Sequence, residues 1–381
     1  MRSRLSLMCA VLLPVAASAC LNDRDTLAAQ SERFPDAVRI ITGRYERNPK
    51  EFYTVRIRRV EGELKANPRR LDLYDDVAVA YDRIGDSAAA LGWMSRKRQL
   101  LEPLNLPKPG SRLDERGEAV YRYFANVGTF RVHRWLREGA KPSRIGELRQ
   151  ARQEIATALK LKPNAHFGRE PVQLGVMDWI LDSSAGGNAS LGDFLIAEAE
   201  HLPEKRIERS KAIAQGLLGL IAMGDAWRSV DVAEALAGGI SWHYRSRDLG
   251  EFAALRHDEL VNQGGKSLFP KHARSIYFPS QILDDVVRSN FTRLRSEADQ
   301  WHRQREAFMV ARLADGRHPD TDPKFWEGYE SPRPPAIVEP FRWGTVLNYA
   351  FFYGLPALFV ALPVLILLAL VQRRRRSLRL G

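Results

Sequence analysis

The sequence predicts an all-α protein, built of helical hairpins packed side by side and followed by one C-terminal membrane-spanning helix. Three observations point there. Tyr74, Val77, Ala78 and Tyr81 recur at helical spacing, and Ala90, Met94 and Leu101 form a second stripe that Pro103 ends. Between the stripes, Gly85-Asp86 provides the positive φ that a tight interhelix turn needs. Finally, Thr345–Val371 runs for 27 residues without a charge, enough to cross a bilayer with some tilt.

Composition bounds the rest. The chain has 381 residues and a formal charge of +12. Hydrophobic and charged fractions of 45% and 27% are those of a folded protein. Much of the excess charge sits at the ends: Arg2 and Arg4 before one apolar run, and Arg373, Arg374, Arg375, Arg376 and Arg379 after the other. Setting these seven aside leaves 51 basic against 46 acidic residues. The basicity is therefore topogenic, and nucleic acid is not an expected partner. Cys9 and Cys20 are the only cysteines, which rules out a disulfide framework or a Cys-ligated zinc site in the mature chain.

Around Leu71–Leu101 the residues resemble a tetratricopeptide repeat (TPR), a helix–turn–helix unit of about 34 residues. With Pro68 closing a preceding unit, Tyr74 and Tyr81 take the family's aromatic places, and Ala78 and Ala90 its small-residue places. The best-matching unit covers 68–103. A second, looser match is Gln150–Asn164, where Ala151, Ile155, Ala158 and Pro163 fill the small, large, small and proline places. The resemblance implies a TPR-like α-α superhelix of degenerate hairpins, a short right-handed solenoid whose concave face holds a protein or peptide partner.

In chain order, residues 1–20 combine a basic start, an apolar run and Ala17-Ser18-Ala19, a secretory signal pattern. Ala17–Cys20 also resembles a bacterial lipobox, with Ala17 in place of the usual leucine. Cys20 is thus either a lipidation site or simply follows a plain cleavage site. Residues 21–165 are expected to hold the hairpins. Helices are expected over Phe52–Ala66, where Arg56 departs from the repeat's small residue, over Gly117–Glu138, and over 144–162. Residues 166–280 read as a degenerate helical region, with helices over His166–Leu181, Lys205–Met223, Ser229–Ala237 and Ser246–Asn262. In 281–315, Val287, Phe291, Leu294, Ala298, Trp301 and Phe308 are spaced close to a heptad seam, either a capping helix or a dimer contact. Six prolines mark 316–344 as a linker lying on the surface. The span 345–371 follows, and the basic tail 372–381 is placed in the cytoplasm by the positive-inside rule. The body is then extracytoplasmic, on the periplasmic face of a bacterial inner membrane.

No catalytic motif stands out. Gly85-Asp86-Ser87 looks like a GDS-type nucleophile block but falls between helices, where such a nucleophile does not sit. His318, Asp320 and Asp322 in a proline-rich stretch read as turn chemistry rather than as a metal site. No cofactor or metal is expected, and no catalytic residue is assigned. The candidate partner-binding residues are two polar stripes, Asp72, Asp75 and Asp82, and Arg122, Asn126, Thr129 and His133. They occupy the sides that line the concave groove in the family, an acidic and hydrogen-bonding surface for an extended peptide. Charge reversal at Asp75 and Asp82 is accordingly expected to weaken partner capture without unfolding. The leading function is a membrane-anchored scaffold. Its rivals are a cell-envelope enzyme with an active site within 166–280, and a structural protein that oligomerises through 281–313.

Overall fold

A computed structural model describes residues 37–163, 169–197, 203–241, 247–272 and 283–338. The signal pattern, Cys20, the apolar span 345–371 and the basic tail lie outside the described residues. The chain divides into two units, 1–336 and 337–381, and all of the elements below belong to the first. Twelve α-helices and no strand occur among the described residues. None of these helices is long and apolar enough to cross a membrane.

The first half is a run of hairpins. A short helix, α1 (Ala37–Thr42), leads into α2 (Lys50–Ala66), which begins after Pro49 and stops at Asn67-Pro68. Helix α3 (Leu71–Arg83) ends at Gly85, whose φ of +97° no side chain adopts comfortably. Asp86 then caps α4 (Ser87–Leu100), its side chain accepting from Ala89 N at 2.9 Å. In the same way Asp114 caps α5 (Glu115–Arg137) by accepting from Gly117 N at 2.7 Å. Helix α6 (Ile145–Leu161) folds back along α5.

The α5–α6 contact is unusually close, and Gly128 makes it so. A Cβ there would stand 2.8 Å from Ile155 Cγ1 and 2.9 Å from the backbone oxygen of Ala151. Ala151, Ile155 and Ala158 are fully buried on the facing side. Because a backbone atom cannot rotate away, Gly128→Ala is expected to push the helices apart and lower stability by about 1–3 kcal/mol. Chemical denaturation of the variant measures this, and an unchanged midpoint contradicts the tight packing.

The second half holds α7 (Arg169–Ser184), α8 (Leu191–Ile196), α9 (Pro203–Met223), α10 (Val230–Ala235) and α11 (Arg247–Asn262). Helix α10 runs into one π-helical turn, Leu236–Ile240, which Gly238 breaks with a non-helical ψ of −143°. These helices enclose the largest core, with Trp179, Leu217, Leu220, Leu236, Ile240 and Leu249 at its centre. A second core joins α2, α3 and α4 through Phe52, Val60, Leu73, Val77, Ala78, Ala90 and Met94.

Helix α12 (Asp285–Ala314) is about 45 Å long and ties the two cores together. Its Val287, Phe291 and Leu294 enter the larger core, and its Met309 and Leu313 enter the smaller one. The heptad-like seam is therefore buried against α1, α2 and α11 of the same chain, as a capping helix requires.

The segment after α12 differs from the surface-lying linker expected of it. Residues 316–329 fold back onto α2 and α12. Phe325 is buried, and Phe308, Trp326 and Tyr329 form an aromatic cluster with ring centroids 5.2–5.8 Å apart. His318 stacks on Phe52 at 4.6 Å, donates from Nε2 to Phe52 O, and accepts at Nδ1 from Asp320 N. Asp320 takes a bidentate bond from the fully buried Arg56, at 2.8 and 2.6 Å, and a further bond from Arg59. Arg56, the residue that breaks the repeat pattern in α2, is there to hold this segment.

Candidate functional site

The two polar stripes expected to line an open groove face each other inside the protein. Asp75 and Asp82 lie two helical turns apart on α3, and Asn126 and His133 lie two turns apart on α5. Asn126 Nδ2 donates to Asp75 Oδ1 at 3.1 Å, and His133 Nδ1 bonds Asp82 Oδ2. Both pairs are separated by 51 residues, so the two helices run parallel in one register. Helix α7 continues the seam: Gln173 donates to Thr129 Oγ1 at 3.4 Å, and Tyr121 OH donates to Glu170 Oε1 at 2.5 Å.

Ion pairs from α4 and α5 complete the seam. Lys97 Nζ on α4 sits 2.7 Å from both oxygens of Asp75. Asp82 also accepts from Arg137 Nη1 at 2.6 Å and from Ser87 Oγ at 2.9 Å. Asp75, Asp82, Lys97, Asn126, Thr129 and His133 are all at most 2% exposed. Ser87 is thus a partner in this knot, with Asp86 as the helix cap beside it. Asp72 alone of the acidic stripe is half-buried and reaches solvent, held by Arg70 at 2.7 and 2.9 Å. Arg122 is half-buried and acts electrostatically on Asp75 and Lys97.

These positions correct the expected site in a specific way. A peptide in a groove cannot reach side chains already bonded to a neighbouring helix. Charge reversal at Asp75 or Asp82 is expected to unfold the hairpins, because it sets like charges together in a buried setting. The groove side of α3 is itself closed: nine of its thirteen residues are buried, and Arg83 donates to Met223 O and Gly224 O at the end of α9.

Burial and pairing compete at each seam carboxyl. At Asp75 burial dominates and pushes the group up despite Lys97, while burial pushes the Lys97 ammonium down. At Asp82 burial raises the group, but His133 and Arg137 together outweigh it and hold the carboxyl well below its usual range. Glu170 is raised to about 7, mainly by burial. A carboxyl raised on folding stabilises the fold below its unfolded value near 4.3, and that contribution is lost as pH rises through about 7. Glu170→Gln is thus expected to flatten the fall of stability between pH 4 and 8, a difference on the order of 3 kcal/mol. Urea titrations at the two pH values test it; parallel losses in both proteins would remove Glu170 from the account.

A second polar cluster lies in the region between α7, α10 and residues 267–272, and no sequence pattern announced it. Asp231 and Glu234 on α10 are 5% and 7% exposed and line a small cavity of about 10 Å³, room for one water, with Trp179, Ser267, Phe269 and His272. Asp231 accepts from Ser267 Oγ at 2.6 Å and from Leu268 N at 3.0 Å. Its carboxyl is raised by burial. Among the described residues no group of three His, Cys, Asp or Glu side chains is placed to hold a metal ion. His318, Asp320 and Asp322 are each engaged in the folded-back segment, Asp322 through Arg317 and the Lys324 amide.

Comparison with protein-family models, with curated proteins and with solved structures gave no match to this chain. The helical packing is compatible with a helical repeat, and that broader statement stands on the geometry alone.

Proposed function

We propose that this protein is an exported, membrane-tethered scaffold of the tetratricopeptide-repeat type that holds a protein or peptide partner. Two features support the architecture: Tyr74, Ala78 and Ala90 are buried at the repeat's contact positions, and α3 and α5 run parallel. The signal pattern at 1–20 and the apolar span at 345–371 support export and tethering.

The observation that carries the binding reading is a stripe on the outer helix α4. Trp93, Arg96 and Leu100 fall at i, i+3 and i+7, one face of the helix. Arg96 lies over the Trp93 ring at 4.3 Å, Trp93 is only half-buried, and Leu100 is exposed. Tryptophan and arginine beside an exposed leucine are the residue types that anchor protein interfaces. This surface replaces the buried stripes as the proposed contact. Crosslinking capture from native membranes tests it. Arg96→Glu with Leu100→Ala, both exposed positions, is expected to reduce partner recovery at least about tenfold, or ~1.4 kcal/mol, while leaving the thermal midpoint in place. Undiminished recovery from the double variant removes this face as the binding surface.

A further inference from the structure

We propose that residues 316–336 are a releasable strap, which keeps the body close to the membrane and is let out when His318 takes a proton. The reach rests on the membrane-tethered reading, whereas the release does not. The strap is laid along α12. Arg312 donates to Glu327 O at 2.6 Å, Trp301 Nε1 to Ser331 Oγ at 3.0 Å, Arg44 to Pro332 O, and Arg293 to Ala336 O at 2.7 Å. These contacts step back along the helix as the strap advances, so the two run antiparallel. From Arg312 to Arg293 the helix rises about 28 Å, which about nine residues of extended, proline-rich chain also cover. The bonds from Arg44, Arg293 and Arg312 are exposed to solvent. The firm hold is therefore the buried knot at the start of the strap, where His318, Asp320 and Phe325 meet α2 and α12.

His318 fits that knot only as a neutral ring. Its Nε2 donates to Phe52 O, and its Nδ1 accepts from Asp320 N at 3.1 Å. A proton on Nδ1 turns that acceptor into a donor facing an N–H. Asp320 Oδ2 lies 3.5 Å from Nδ1 but already takes bonds from Arg56 and Arg59. Helix α2 thus presents two cations to the ring, with Glu63 tied to Arg59, and a protonated His318 makes a third around one carboxylate. On α12, Arg305 is turned to Glu46 and the Trp326 ring, Arg312 is turned to the Glu327 carbonyl, and Met309 and Leu313 share the core with Phe52. Within the strap Arg317 pairs with Asp322. Burial, with Arg56 and Arg59, holds the ring below its ordinary value despite Asp320 and the Phe52 carbonyl. A depressed histidine stabilises the held strap above its free value near 6.5, and that contribution is lost as pH falls below it.

Release changes how far the body can move from its anchor. With the strap held, only the eight residues 337–344 lie between it and the apolar span, about 27 Å at full extension. With residues 316–336 let out, the free chain reaches about 100 Å.

The test is hydrogen exchange on the full chain in detergent, corrected for the intrinsic effect of pH. Between about pH 7.5 and about pH 5, protection of residues 318–325 is expected to fall about tenfold relative to the α3–α4 hairpin. His318→Gln keeps a donor for Phe52 O and does not titrate, so the ratio between the two pH values is expected to stay near one. That ratio is internal to each protein, so a weakened strap still reports it. Should the variant lose protection at both pH values, the wild-type onset decides. An onset near pH 6.5 supports His318, and one only below about pH 4.5 points to Asp320 and overturns the proposal. Equal falls in wild type and variant, or no fall in wild type, also overturn it. Reach is read in vesicles by energy transfer from a dye on Gln153→Cys, exposed on α6, to an acceptor lipid, with Cys9→Ala and Cys20→Ala. Transfer is expected to drop on acidification, and to hold in His318→Gln. Unchanged transfer from a released strap overturns the reach. Protein that does not stay with the vesicles defeats the tether reading instead, and the exchange result still decides the release.

Discussion

Replacing Lys97 with methionine is expected to destabilise the protein by about 3–5 kcal/mol. The ammonium sits 2.7 Å from both oxygens of Asp75, with both side chains at most 2% exposed. Methionine fills the volume but leaves Asp75 with the neutral Asn126 and the more distant charge of Arg122, too weak a setting for a carboxylate in the interior. Burial already pushes the Asp75 carboxyl up, so in the variant it takes a proton rather than stay charged. Removing both charges, Asp75→Leu with Lys97→Met, is expected to recover most of the loss, because a buried pair gains little over well-packed apolar residues. Denaturant melts of the three proteins decide it. A single variant as stable as wild type would mean that the pair is not buried in solution.

Arg56→Met is the second large effect, expected at about 3 kcal/mol and accompanied by release of residues 316–329. Asp320 loses its bidentate partner in that variant and keeps Arg59, and the His318–Phe52 stack loses the Arg56 ion pair beside it. Released chain is open to proteolysis in proportion to how often it detaches. Trypsin is therefore expected to cut after Arg317 and Lys324 much faster than in wild type, with the α3–α4 hairpin still protected. Equal cleavage rates would show that the segment is held by Phe325 and its aromatic neighbours instead.

Much of the helical layout was legible in the sequence because it is local. A 3.6-residue period, a glycine at a positive-φ turn and an aspartate that caps the next helix all act within a few residues. The helix expected over 144–162 runs Ile145–Leu161, and the one over 117–138 runs Glu115–Arg137. Likewise Gly85 and Asp86 turn the chain where the pattern breaks.

The site was less legible, for a different reason. Asp75, Asp82, Asn126 and His133 were recognisable as two polar stripes, but polarity at helical spacing looks the same whether water or another helix faces it. One signal was present: the 51-residue offset common to the pairs Asp75–Asn126 and Asp82–His133, which marks two helices in parallel register. Arg56 shows the same limit. It looked like a flaw in a repeat because its partner, Asp320, lies 264 residues away.

By itself the sequence determined that this is a helical protein, where its hairpins turn, and that its charge excess belongs to its ends. Only the tertiary structure decided which polar residues are interior, that α12 and the segment after it close over the hairpins, and that Asp231 and Glu234 share a small cavity. The division follows from range. Turns and caps are set by neighbours in sequence, whereas burial and ion pairing depend on which distant helix arrives at each face.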